Sequence, residues 1–155
     1  MLWFSPRSQF SVSSAFAVAS VRSATALLAG LVLVSCVDHL PDQDLRILSA
    51  QPQAKLSASD LWKDFETDGA AAKTKYFGKA IDVSDRPTAI ETDTAKRPSM
   101  FFAQAEERGV RAFLLDERAA EILKEAKVGT RITLRCFCEG TDDKKDVVLR
   151  SCIRP

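Results

Sequence analysis

Val110-Arg111-Ala112-Phe113-Leu114-Leu115, Asp116 through Ala126, and Arg131-Ile132-Thr133-Leu134-Arg135-Cys136-Phe137-Cys138 form the stretch on which the fold turns. Its two outer parts alternate apolar and polar residues, the period of a half-buried strand. Between them Asp116 can cap a short helix, Glu117 to Ala126, with Ala120, Leu123 and Ile122 facing inward. Val128-Gly129 ends that helix. In the second strand Cys136 and Cys138 share parity with Ile132 and Leu134, so they belong to the core face. Arg131, Arg135 and Phe137 then point the other way.

Working outward, Gly140 to Lys145 is a charged hairpin loop leading to a last strand, Val147 to Ile153. Upstream, Lys79 to Val83 alternates, Asp85-Arg86-Pro87 interrupts it, and Thr88 to Glu91 resumes. One strand with a bulge or bend fits, because proline is tolerated at bulges and edges. After a polar turn from Thr92 to Arg97, Ser99 to Ala103 makes another strand, and Glu106 to Gly109 turns the chain again. Ahead of all these, Ser57 and Asp60 open a helix with Leu61, Phe65, Ala72 and Tyr76 as its apolar stripe. Gly69 weakens its middle by up to ~1 kcal/mol relative to alanine. The order is helix, three strands, helix, two strands. That predicts a mainly β protein, a five-stranded OB-fold Greek-key barrel with an added N-terminal helix and a helix between strands three and four. An α+β sandwich is the alternative.

The N-terminus reads as an export signal. Arg22 precedes the uncharged run Ala24 to Val34, which ends in Leu33-Val34-Ser35-Cys36. This ending resembles the bacterial lipobox, whose cysteine is lipidated and becomes the first mature residue. An uncleaved signal anchor or an ordinary soluble export signal are the alternatives. The reading divides the chain into a signal peptide at 1–35, Cys36 with a flexible tether at 36–56, and an OB-fold domain at 57–155. Residues 1–20 are untidy for a basic leader and suggest a misplaced start. In a cell with two membranes, Val37 after Cys36 carries no aspartate retention signal, which implies the outer membrane, facing the periplasm. His39, the only histidine, lies in the tether and reads as a solvated spacer residue.

Removal of the signal takes Arg7 and Arg22 from a total of 22 basic residues and none of the 21 acidic ones, leaving a net charge near −1. That counts against a sequence-independent nucleic-acid binder, which usually shows a basic excess. No phosphate-binding glycine loop, nucleophile elbow, metal-binding acidic repeat or in-domain histidine is present, so no enzyme and no cofactor are expected. Export to an oxidising compartment predicts at least one disulfide among Cys136, Cys138 and Cys152. A zinc site of three thiolates is the sharper alternative, but no fourth ligand is evident and no metal site is expected.

Leu61, Phe65, the Ala70-Ala71-Ala72 run, Lys75 to Lys79, Val128-Gly129 and Val148 to Cys152 resemble the tRNA-anticodon-binding-like (tRNA_anti-like) OB-fold proteins, small bacterial envelope or lipoprotein domains. The likeness covers about residues 57–153. Two departures stand out: Asp85 or Arg86 where the bend usually carries glycine, and Cys136 where a glycine is favoured. The resemblance implies Cys138 and Cys152 as the paired cysteines. Hairpin register argues against a direct bond. With a turn near Asp142-Asp143, Cys138 faces Val147 and Cys152 faces about Thr133, an offset of ~16 Å. Cys136 is closer in register to Cys152 but still misaligned.

Candidate ligand-binding residues are Arg111, Arg131, Arg135 and Phe137, because basic groups interleaved with aromatic rings are how OB-folds grip ligands. A solvated strand face of mixed charge is the plainer reading of the same residues. The expected function is a lipid-anchored, non-enzymatic binding or scaffolding module. Its partners would be the membrane and an envelope protein, saccharide or small molecule. Single-stranded nucleic acid is the alternative ligand.

Overall fold

The computed structural model describes residues 42–155. The expected signal peptide, the expected lipidation site Cys36 and the first residues of the expected tether lie outside the described residues.

The protein is mainly β. Among the described residues seven strands form one sheet: β1 (Ala54–Leu56), β2 (Ala80–Asp85), β3 (Ala89–Thr92), β4 (Pro98–Ala105), β5 (Arg108–Leu114), β6 (Ile132–Thr141) and β7 (Val147–Ile153). They lie in the order β1-β2-β6-β7-β5-β4-β3. The pairs β1/β2 and β5/β7 are parallel and the rest antiparallel. The α-helices of the described residues are α1 (Ala58–Thr67), α2 (Gly69–Tyr76) and α3 (Asp116–Glu125).

The five-stranded closed barrel is therefore corrected to an open, seven-stranded sheet, for two physical reasons. Pro87 has no N–H to give a ladder, so Arg86-Pro87-Thr88 leaves the pairing and splits the expected first strand into β2 and β3. Thr88 still donates its N–H to the Phe101 carbonyl (2.8 Å), which steers the chain into β3. The additional strand comes from the expected tether. Ala54–Leu56 pairs in register with Ile81–Val83. The ladder's edges are β1 and β3, and the short link at Pro87 carries the chain from near one edge to the other.

More of the tether is structured than its polar composition suggests. Ser151 accepts the Asp44 N–H at 2.7 Å, and a short 3-10 helix follows at Leu45–Leu48. Its Ile47 is fully buried beside Ala80, Leu115, Phe137 and Ile153. One buried isoleucine contributes about 2–3 kcal/mol, enough to fasten a polar strap to the outside of the sheet.

The helix expected from Ser57 is two helices. Ser57 caps α1 by accepting the Asp60 N–H, and Asp68 caps α2 by accepting the Ala71 N–H. The break thus falls at Asp68, immediately before Gly69. Asp64 links the helices by accepting the Tyr76 hydroxyl (2.7 Å) and the Lys75 ammonium (2.9 Å). Helix α3 turns Ile122 inward as expected but not Ala120 and Leu123. It buries Ala119 and Ile122 and leaves Ala120 and Leu123 exposed. Asp116 is not its cap; the Gln43 carboxamide of the strap accepts the Asp116 N–H at 2.8 Å.

The cysteine pairing is also corrected. Cys136 bonds Cys152, with Cα atoms 4.2 Å apart, and Cys138 is a free, buried thiol. Two features of the hairpin repair the register. Its loop runs from Asp142 to Asp146, held by the Asp142 carboxylate accepting the N–H groups of Lys144 and Asp146, so it is centred beyond the assumed turn. Two register shifts then offset each other, an extra residue on β6 between Cys138 and Gly140 and a bulge on β7 between Arg150 and Ile153, where Ser151 takes a left-handed φ of 52°. The bulge reverses parity, so Leu149 and Cys152 both face the core although they stand three residues apart. Cys136 then meets Cys152 across the strands.

Closing a loop of this length contributes about 3 kcal/mol by restricting the unfolded chain. Urea unfolding of Cys136→Ala/Cys152→Ala is expected to show a loss of about that size. Alkylation of denatured, non-reduced wild type should modify Cys138 but neither Cys136 nor Cys152; labelling of Cys136 would contradict this pairing.

Candidate functional site

Strand alternation puts Met100, Phe102, Val110, Ala112 and Leu114 in the core and turns Phe101, Arg111 and Phe113 to the outer face of β4 and β5. Phe101 and Arg111 are register partners, and the Arg111 guanidinium lies 4.7 Å from the centre of the Phe101 ring. Arg111 also bonds Glu91 on β3 (2.5 Å) and reaches Asp146 in the β6–β7 loop (3.5 Å). Asp146 is almost fully buried and accepts the Gly109 N–H at 2.9 Å, which ties that loop to β5. A side chain at position 109 would put its Cβ 2.2 Å from the Phe102 carbonyl oxygen, so only glycine allows this approach.

A second stack stands beside the first. The Phe113 ring carries two guanidiniums, Arg97 at 5.1 Å and Arg150 at 5.5 Å. Arg97 ends the β3–β4 turn. Asp93 builds that turn by accepting the Arg97 N–H (2.8 Å) and the Arg97 guanidinium (2.7 Å). The backbone N–H of Arg97, and then its side chain, hold the Asp93 carboxyl below its usual pKa. Arg150 pairs with Glu139 on the neighbouring β6. The Asp42 carboxylate bridges the two stacked arginines, bonding Arg97 at 2.7 Å and also Arg150.

Such a face can grip planar or anionic groups. Guanidinium over an aromatic ring contributes about 0.5–2 kcal/mol and leaves the guanidinium edge free to hydrogen-bond. Its charge is balanced toward acid: three arginines stand among Asp42, Glu91, Asp93, Glu139 and Asp146.

Of the residues expected to bind ligand, Arg111 lies on this face. Arg135 and Phe137 point outward, but the strap covers them. Arg135 bonds both carboxylate oxygens of Asp82 (2.8 and 3.2 Å) and the Ala50 carbonyl (3.2 Å). Phe137 is buried against Ile47. Arg131 is exposed and lines a different cleft, of about 370 Å³, with Lys127, Thr130 and Arg154. The three cysteines form no thiolate triad, because two are joined. Burial pushes the remaining Cys138 thiol up to about 12, so its nucleophilic form is scarce at neutral pH. Arg97 escaped the sequence reading because it stands in a polar turn. Its spacing of four from Asp93 was the available signal.

Two expectations follow. Asp82→Ala leaves the Arg135 guanidinium largely buried without its partner and should cost about 2–3 kcal/mol in urea unfolding; an unchanged midpoint would make the pair dispensable. Asp93 has a folded pKa below its ordinary 3.8, so its contribution is fully present above that value and is lost as pH falls through the folded one. An acid titration followed by NMR should show the Arg97 amide moving with the Asp93 carboxyl, below pH 3.8.

The comparisons with known proteins agree with this architecture. No curated protein matches the chain. Among solved structures, a lipoprotein from Klebsiella pneumoniae subsp. pneumoniae, whose name proposes nucleic-acid binding, shares the fold with a TM-score of 0.52 at 15% sequence identity. The match covers 72% of this chain and 97% of that one. The tRNA_anti-like family matches residues 13–153, nearly the whole sequence, so the chain belongs to the tRNA_anti-like family.

Proposed function

We propose that this protein is a non-enzymatic binding module of the bacterial cell envelope, anchored through a lipid on Cys36, which takes its ligand on the outer face of β4, β5 and β7. The carrying observation is the pair of arginine–phenylalanine stacks, Arg111 on Phe101 and Arg97 with Arg150 on Phe113. Counted with β2 and β3 as halves of one bent strand, β4 and β5 are the second and third strands of an OB-fold. The Asp93–Arg97 turn and the Asp142–Asp146 loop then stand where OB-folds contact oligomeric ligands. The lipobox-like Leu33 to Cys36 supports the anchor, as does the lipoprotein name of the Klebsiella structure. Val37 after Cys36 favours the periplasmic side of an outer membrane where two membranes exist.

The ligand we favour is an envelope protein, saccharide or small molecule. A polyphosphate backbone would meet more carboxylates than guanidiniums on this face, and such binding draws on net positive charge. The second reading, single-stranded nucleic acid, is favoured by the stacked rings and by the name of the Klebsiella protein.

Intact mass and membrane fractionation of the expressed protein beside Cys36→Ala test the anchor. A diacyl or triacyl increment at Cys36, absent from the variant, is expected; an unmodified soluble chain would overturn the envelope reading. Anisotropy of a labelled oligothymidine should stay flat at low salt. Salt-sensitive binding lost in Arg97→Ala/Arg111→Ala would give the face to nucleic acid.

A further inference from the structure

The strap that crosses the outer face does more than cover it. At its first described residue, Asp42 places one carboxylate between Arg97 and Arg150, the two guanidiniums that share the Phe113 ring. We propose that these three residues form a carboxylate-recognition site for an acidic peptide of a partner protein, and that Asp42 is the internal stand-in occupying it in the free protein.

The site is built around the ring. Phe113 supplies an apolar floor, and Asp93 and Glu139 each hold one guanidinium at its far side. Arg150 is only 12% exposed and Arg97 26%, so both are oriented before any ligand arrives. Guanidiniums held in this way favour bidentate recognition of a planar carboxylate.

Asp42 differs from the other acids here. Its side chain is 49% exposed, while those of Asp93 and Glu139 are 21% and 13% exposed. The backbone beside it is latched independently. Ser151 accepts the Asp44 N–H, and Gln43 accepts the Asp116 N–H. Rotation of the Asp42 side chain would therefore uncover both arginines while the strap stays in place. Asp42 is the half-exposed member of both ion pairs, where water screens its carboxylate to about 1 kcal/mol, so an incoming carboxylate can displace it.

The occupant is a carboxylate in a peptide rather than a phosphodiester chain. Asp93, Glu139 and Glu91 leave room for one or two acidic groups at the arginines but oppose a continuous run of phosphates along the strands. This inference rests on taking the outer face as the ligand surface and names the chemistry of that ligand.

The test titrates the two-aspartate peptide acetyl-Gly-Asp-Asp-Gly-amide into purified, isotope-labelled full-length protein, with or without its acyl chain. Backbone amides and arginine Nε–H signals are followed by NMR in wild type, Asp42→Asn and Arg97→Gln. Removing an internal competitor should tighten the apparent affinity of Asp42→Asn by about three- to fivefold. Shifts should centre on Arg97, Phe113 and Arg150, and Arg97→Gln should abolish them. Equal affinity in wild type and Asp42→Asn, with shifts on this face, would overturn the stand-in role while leaving the face as the ligand surface. Absence of peptide shifts here, or tighter binding of an oligothymidine than of the peptide by Asp42→Asn, would overturn the inference outright. Neither result depends on lipidation, which the mass measurement decides separately.

Discussion

The register of β6 against β7 is the constraint on which the rest depends. These two strands sit at the middle of the sheet, and Cys136–Cys152 locks them where the bulge at Arg150-Ser151 has reversed the parity of β7. Three consequences follow from that one backbone feature. Leu149 and Cys152 both enter the core. Arg150 turns outward beside Phe113 and Glu139. The Ser151 hydroxyl becomes the anchor of the strap by accepting the Asp44 N–H. A regular strand through this point would have sent Cys152 to the opposite side of the sheet from Leu149. Core closure, the arginine stack and the fastening of the N-terminal strap thus share one structural cause.

The outer face shows how arginine and phenylalanine can be concentrated without making a polyanion groove. Each guanidinium lies on a ring and is also tied to carboxylates from other elements: Glu91 from β3, Asp146 from the hairpin loop, Glu139 from β6 and Asp42 from the strap. These ties pre-orient the arginines at little entropic cost on binding, and they cancel the field that would draw in a phosphate backbone. The same pattern therefore favours specific recognition of a few groups over non-specific adhesion. Arg135 stands apart from this face: it joins β6 to Asp82 on β2 and to the Ala50 carbonyl of the strap.

Much of this was legible. Alternation from Val110 to Leu114 and from Ile132 to Cys138 marked two strands and their core faces, because a half-buried strand must repeat every second residue. Ser57 and Asp60 marked the start of α1. The resemblance carried by Lys75 to Lys79 and Val148 to Cys152 led to the family. What periodicity missed was decided by single residues acting at a distance. Pro87 divided a strand in two. Ser151 changed the parity of another. Ile47, one apolar side chain in a polar stretch, fastened a segment that reads as a tether. Along α3 the sheet selects Ala119 beside the expected Ile122 and leaves Ala120 and Leu123 outside, a choice between equally apolar stripes.

The sequence by itself determined the mainly β class, the order of the principal strands and the presence of arginines and phenylalanines on outward positions. All of these follow from local periodicity and residue chemistry. Only the tertiary structure decided which cysteines pair, that the ladder is open and seven-stranded, and which arginines share a ring. Those outcomes depend on register between segments far apart in the chain. A single left-handed residue or one additional loop position shifts that register without leaving a periodic signal in the sequence.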